Sequence, residues 1–150
     1  MKIDGNTILI TGGGSGIGEA LAHRFHDLGN TVIVAGRRLE ALEGTVAGRE
    51  SMVAMQVDVD HPGGINAFAA RVVAEHPALN ILVNNAGIMR FETLDRRRDL
   101  RDAEATVATN LLAPIRLTNA LVDHLADRPD AVIVNVSSGL AFVPLVAAPT

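Results

Sequence analysis

Apolar residues fall along this 150-residue chain in two alternating rhythms. One is the short unbroken run rich in Val and Ile, as in Thr31-Val32-Ile33-Val34-Ala35. The other is the longer stretch in which an apolar position returns every three or four residues, as Ile17, Leu21 and Phe25 do. An unbroken run without polar alternation marks a strand covered on both faces, and the four-residue return marks one face of a helix. Strands are therefore predicted over 7–11, 31–35, 52–57, 81–83 and 131–136. Helices are predicted from 17 onward and over 39–47, 65–74 and 99–125, with Leu28-Gly29-Asn30 stopping the first, residues 60–64 leading into the third and Pro114 bending the last.

Strand and helix alternate throughout, with no repeat, linker or low-complexity tract. That rhythm predicts an α/β fold: a doubly wound, Rossmann-like parallel sheet with helices on both faces. A chain of this length with 48% hydrophobic residues is sized for one domain, 1–150, with a real core. Ligands in such sheets bind beyond the carboxyl ends of the strands. The residues that follow each strand are thus the candidates.

After the first strand comes Thr11-Gly12-Gly13-Gly14-Ser15-Gly16-Ile17-Gly18. The first N–H groups of a helix have no internal partner and lie at the positive end of its dipole, so a phosphate gains hydrogen bonds and field together there; glycines let it approach. The G-x-G-x-x-G pattern fails from Gly12, where Ile17 stands at the third glycine, and from Gly14, where Glu19 does. The P-loop fails because Glu19 occupies its lysine position. Thr-Gly-x-x-x-Gly-x-Gly does fit, and a merely glycine-rich loop is the other reading. After the second strand comes Gly36-Arg37-Arg38, with no acid for a ribose hydroxyl. Two arginines opening a helix oppose its dipole, which favours a 2′-phosphate ligand over plain surface charge. Asp58-Val59-Asp60 follows the third strand, where Asp58 can accept from an adenine amino group or an aspartate can cap the next helix. Asn84-Asn85-Ala86-Gly87 follows the fourth and, taken alone, is a turn.

Composition narrows the picture by exclusion. With 13 basic and 17 acidic residues, nothing points to a nucleic-acid partner. The run Arg96-Arg97-Arg98 with Arg101 is interleaved with Glu92, Asp95, Asp99 and Asp102 and reads as a solvated helix end. The absence of cysteine excludes disulfides and thiolate metal sites. His23, His26, His61, His76 and His124 show no ligand spacing and read as surface or packing residues, so no metal site is predicted. Apolar stretches are too short to span a membrane, and a soluble, cytoplasmic protein is expected.

The glycine turn and Asn84-Asn85-Ala86-Gly87, in register over essentially the whole chain, resemble the classical short-chain dehydrogenase/reductase (SDR) family; the opening and the Ser-Ser-Gly-Leu-Ala-Phe-Val-Pro segment look most like its bacterial DltE-type oxidoreductases. The resemblance implies strand order 3-2-1-4-5 and a nicotinamide dinucleotide held by Gly12, Gly14, Ser15, Gly16, Ile17, Gly18, Arg37, Arg38, Asp58, Val59, Asn85, Ala86 and Gly87. With arginine in place of the acid, NADP (NADPH) is expected over NAD. It further implies catalytic roles for Ser138, the second of the Ser137-Ser138 pair after the fifth strand, and for Asn110, whose equivalent holds a water of a proton relay through its backbone at a local kink. Alone, the serines read as a turn or cap, and Asn110 as a locally bonded helix residue.

The sequence departs from the family at one point. A Tyr-x-x-x-Lys pair should follow the serine just past Thr150, yet the 150 residues hold no tyrosine and a single lysine, Lys2. The expectation is the nucleotide-binding part of an NADP-dependent oxidoreductase, truncated at its C-terminal end, that moves hydride between nicotinamide and a small carbonyl or alcohol substrate and is a homo-oligomer at full length. A catalytically inactive dinucleotide-binding fragment or sensor is the alternative.

Overall fold

The computed structural model describes residues 2–143 and 145–150. Its elements are β1 (Thr7–Thr11), α1 (Gly16–Asp27), β2 (Thr31–Gly36), α2 (Leu39–Val46), β3 (Met52–Gln56), α3 (Pro62–Glu75), β4 (Leu79–Asn84), α4 (Arg101–Val107), α5 (Ala113–Ala126) and β5 (Val132–Asn135). The five strands form one parallel sheet in the order β3-β2-β1-β4-β5. The alternation of strand and helix accounts for the parallel pairing, because each parallel pair needs a crossover that lays a helix on the sheet.

The unbroken apolar runs are buried on both faces, as their pattern requires. On one face Leu9, Ile33, Leu82, Ile65, Phe68, Leu117 and Leu121 pack between the sheet and α3 and α5. On the other, Ile8, Ile10, Val32, Val34, Ile81 and Val83 meet Ala22 and Leu42 from α1 and α2. Leu79 shares a face with Leu82 despite the odd spacing, because the β1–β4 register slips between Thr7 and Ile8. At the sheet edge, β5 is only half covered: Val132 and Val134 rest against the core while Ile133 is exposed.

Three local expectations are corrected. The third helix begins at Pro62, so Gly63 and Gly64 lie in its first turn; proline fits there because that N–H would have no partner. The last predicted helix starts at Arg101, not at 99, and a π-helical turn over Ala108–Leu112 divides α4 from α5. Pro114 follows that turn and has no N–H to offer the carbonyl four residues earlier, that of Asn110, so the ladder is altered before the proline. Of the arginine run only Arg101 stands at a helix end, opening α4; Arg96, Arg97 and Arg98 do not. Residues 85–100 are irregular, Arg98 is ion-paired with the buried Glu92, and Asp99 accepts the Arg101 N–H at 2.9 Å just ahead of α4.

Candidate functional site

Two adjoining cavities, of about 430 and 610 Å³, open along the carboxyl ends of the strands, and both are walled by Asn85, Ala86, Gly87 and Ile88. They form one cleft with two ends.

The first end is built on the β1–α1 turn. Gly12 sits at φ +69°, and a Cβ on it would come within 2.9 Å of the Ala86 Cα. Gly18 is tighter still: a Cβ there would lie 2.2 Å from the Gly12 carbonyl oxygen. The turn, the first coil of α1 and the chain after β4 are thus pressed together, and only hydrogen fits between them. Thr11, which the sequence offered only as part of the motif, is the clasp. Its hydroxyl accepts the N–H groups of Asn85 and Ala86 at 3.0 and 3.1 Å, and Asn85 Nδ2 donates back to the Thr11 carbonyl at 2.9 Å. Asn85 therefore fastens the cleft through its side chain. Ser15, the N-cap of α1, makes no side-chain cap bond, so this helix opens on the cleft with its leading N–H groups uncapped.

Gly14, Ile17, Arg37, Arg38 and Val59 complete the wall, and Gly16 opens α1 beside them. The two arginines stand in different settings. Arg38 Nη2 reaches Ser15 Oγ at 3.4 Å, a neutral contact beside the helix terminus. Arg37 Nη1 faces Asp60 Oδ2 at 3.6 Å. Asp58 lines a neighbouring hollow, with Oδ1 accepting the Asp60 N–H at 3.1 Å. Neither acid caps α3, whose N-cap position is His61; Asp60 instead accepts the Thr109 hydroxyl at 2.6 Å. Thr109 and Asp60 meet across the fold, and nothing in their local sequence signals it.

The second end holds Ser137, Ser138 and Asn110. Ser138 precedes a short 3₁₀ turn and its Oγ accepts the Leu140 N–H at 3.1 Å, which leaves its own proton free to donate. Asn110, inside the π turn, grips Ile88 with both ends of its amide: Oδ1 accepts the Ile88 N–H at 2.8 Å and Nδ2 donates to the Ile88 carbonyl at 2.7 Å. The cleft wall and the helix are tied at that point. Lys2 lies at the amino ends of the strands, paired with Asp130 just ahead of β5 at 3.5 Å. His23 Nε2 meets the Thr45 carbonyl at 2.9 Å and His124 Nε2 that of Leu79 at 3.1 Å, while the exposed His61 Nε2 lies 3.9 Å from Asp58 Oδ2. Among the described residues no group of three or more His, Asp or Glu side chains could hold a metal ion, and no helix is long and apolar enough to cross a membrane.

Three features fit a dinucleotide: an uncapped helix terminus, a turn that a Cβ would fill, and two guanidinium groups at its rim. Known proteins agree with this geometry. An oxidoreductase named DltE from Bacillus subtilis (strain 168), described as uncharacterized, is 38% identical over 99% of this chain, which spans 60% of that relative's length. The L-sorbose reductase of Gluconobacter frateurii, solved with NADPH and L-sorbose, superposes with a TM-score of 0.90 at 29% identity, covering 99% of this chain and 58% of its own. A metagenomic short-chain oxidoreductase in complex with NADP gives 0.87 at 31% identity, covering 98% of this chain and 68% of its own. The family model described as short chain dehydrogenase matches residues 6–150, and the chain belongs to that family of oxidoreductases.

Proposed function

We propose that this chain carries the cofactor-binding part of an NADP-dependent oxidoreductase that interconverts a carbonyl and an alcohol. One observation carries the reading: a single cleft joins the uncapped start of α1 and its two arginines to Ser138 and Asn110, with the wall of residues 85–88 shared between them. The NADP and NADPH bound by the two similar structures support the choice of cofactor.

In this reading the α1 terminus and the glycine turn hold the pyrophosphate, Arg37 and Arg38 take the ribose 2′-phosphate, and Asp58 and Val59 flank the adenine. The nicotinamide supplies or accepts hydride. Ser138, already oriented by the Leu140 N–H, donates its proton in a hydrogen bond to the substrate oxygen, where charge develops during the reaction. Asn110 fixes the π turn against Ile88, which steadies the wall between the two ends. The 150 residues contain no tyrosine, so by themselves they offer no phenol as proton donor, and residues 1–150 alone are expected to show no turnover. The apolar Val107, Leu111, Ile115 and Val122 on the outer face of the last helices support self-association.

Calorimetric titration tests the cofactor reading. NADPH should bind roughly ten-fold or more tightly than NADH, since a charge-assisted bond contributes about 1.5–3 kcal/mol. Arg37→Ala should remove most of that preference. Equal affinities in the parent protein would exclude the 2′-phosphate role, and failure of both to bind would exclude the nucleotide reading.

A further inference from the structure

We infer that Asp60 is a specificity-determining residue of the nucleotide cleft: its carboxylate competes with a ribose 2′-phosphate for the Arg37 guanidinium and so limits the preference for phosphorylated cofactor. The inference rests on the nucleotide reading above. Asp60 is held at three points. Its N–H donates to Asp58 Oδ1 at 3.1 Å, its Oδ1 accepts the hydroxyl of the buried Thr109 at 2.6 Å, and its Oδ2 faces Arg37 Nη1 at 3.6 Å. The first contact fixes its backbone and the second holds one carboxylate oxygen, so the carboxylate is restrained from swinging away when a second anion arrives.

Arg37 is the movable partner. Its side chain is half exposed, and Asp60 is the one carboxylate within ion-pair distance of it among the described residues. A guanidinium directed at Asp60 must give up or share that contact to pair with a phosphate at the cleft rim. Among the described residues Arg38 faces no such rival, and its contact is the neutral Ser15 hydroxyl. The two arginines that the sequence presents as equivalent thus divide the work: Arg38 is available to the ligand at once, and Arg37 is released only against the attraction of Asp60. A pair this accessible to solvent is weak, which makes Asp60 a trimmer of selectivity and not a block.

The test compares adenosine 2′,5′-bisphosphate with adenosine 5′-monophosphate, two probes that differ only in the 2′-phosphate. Asp60→Asn keeps an oxygen for Thr109 while removing the charge. It should raise the affinity ratio in favour of the bisphosphate about two- to five-fold, the range of an exposed ion pair, with 5′-monophosphate affinity unchanged as the control for folding. In an Arg37→Ala background the same substitution should produce no gain. A ratio unmoved by Asp60→Asn, or a gain that persists without Arg37, would overturn the competition while leaving the nucleotide site standing. Failure of the parent protein to bind either probe would overturn both.

Discussion

The two ends of the cleft are built to different standards. The end proposed to hold the nucleotide stands on β1, β2 and β4, whose Ile8, Leu9, Ile10, Ile33 and Leu82 have no solvent exposure. The Thr11 clasp and the close approach at Gly12 and Gly18 then fix the turn to about the width of a hydrogen atom. The end that holds Ser137 and Ser138 stands on β5, an edge strand with Ile133 37% exposed, and on exposed segments around Ser137 to Phe142. A phosphate is recognised by fixed N–H groups and charge, which calls for rigidity. The segment around Ser138 instead leans on few neighbours, so its geometry depends on whatever covers β5.

The largest effect should come from comparing matched truncations in the two regions. Leu82→Ala removes a fully buried side chain from the central sheet and should cost about 2–5 kcal/mol in chemical denaturation. Ile133→Ala, next door on the edge, should cost under about 1 kcal/mol. Equal costs would mean that another surface covers β5 in solution, and the contrast between the ends would disappear.

Turnover provides the next comparison. In a form of the protein that turns over, the proposed role of Ser138 predicts that Ser138→Ala lowers kcat by roughly 10²–10³-fold with NADPH affinity nearly unchanged, because its hydroxyl would serve the reacting oxygen and not the phosphates. Ser137→Ala should do far less. Parallel losses in both variants would dissolve the assignment within the pair.

A smaller effect sharpens the account of the nucleotide end. Gly18→Ala would place a methyl 2.2 Å from the Gly12 oxygen and 2.5 Å from Asn85 Nδ2. The backbone must give, costing about 1–3 kcal/mol of stability and weakening nucleotide binding with it. Gly44→Ala, where a Cβ meets nothing within 4 Å, is the control and should be neutral or better. If both variants behaved alike, the turn would be more yielding than its contacts indicate.

What the sequence determined by itself was whatever has a local period or a local steric demand. The unbroken runs at 7–11 and 31–35 imply burial on both faces, because any polar position would be stranded inside the sheet; the glycine turn implies close approach, because only glycine tolerates it. The strand order and the place of the cleft followed from these patterns together with the family resemblance. The tertiary structure alone decided the rest. It set Asp60 against Thr109 and Arg37, made Thr11 the clasp for Asn85 and Ala86, buried Glu92 beside Arg98, and gave Arg37 and Arg38 different partners. It also turned an expected bend into a π turn whose Asn110 holds Ile88. The physical reason is the same in each case. A side-chain hydrogen bond or ion pair needs two groups within about 3–4 Å, and for residues far apart in the chain that distance is fixed by which helix lies on which strand and in what register, which no local pattern of apolar and polar positions encodes.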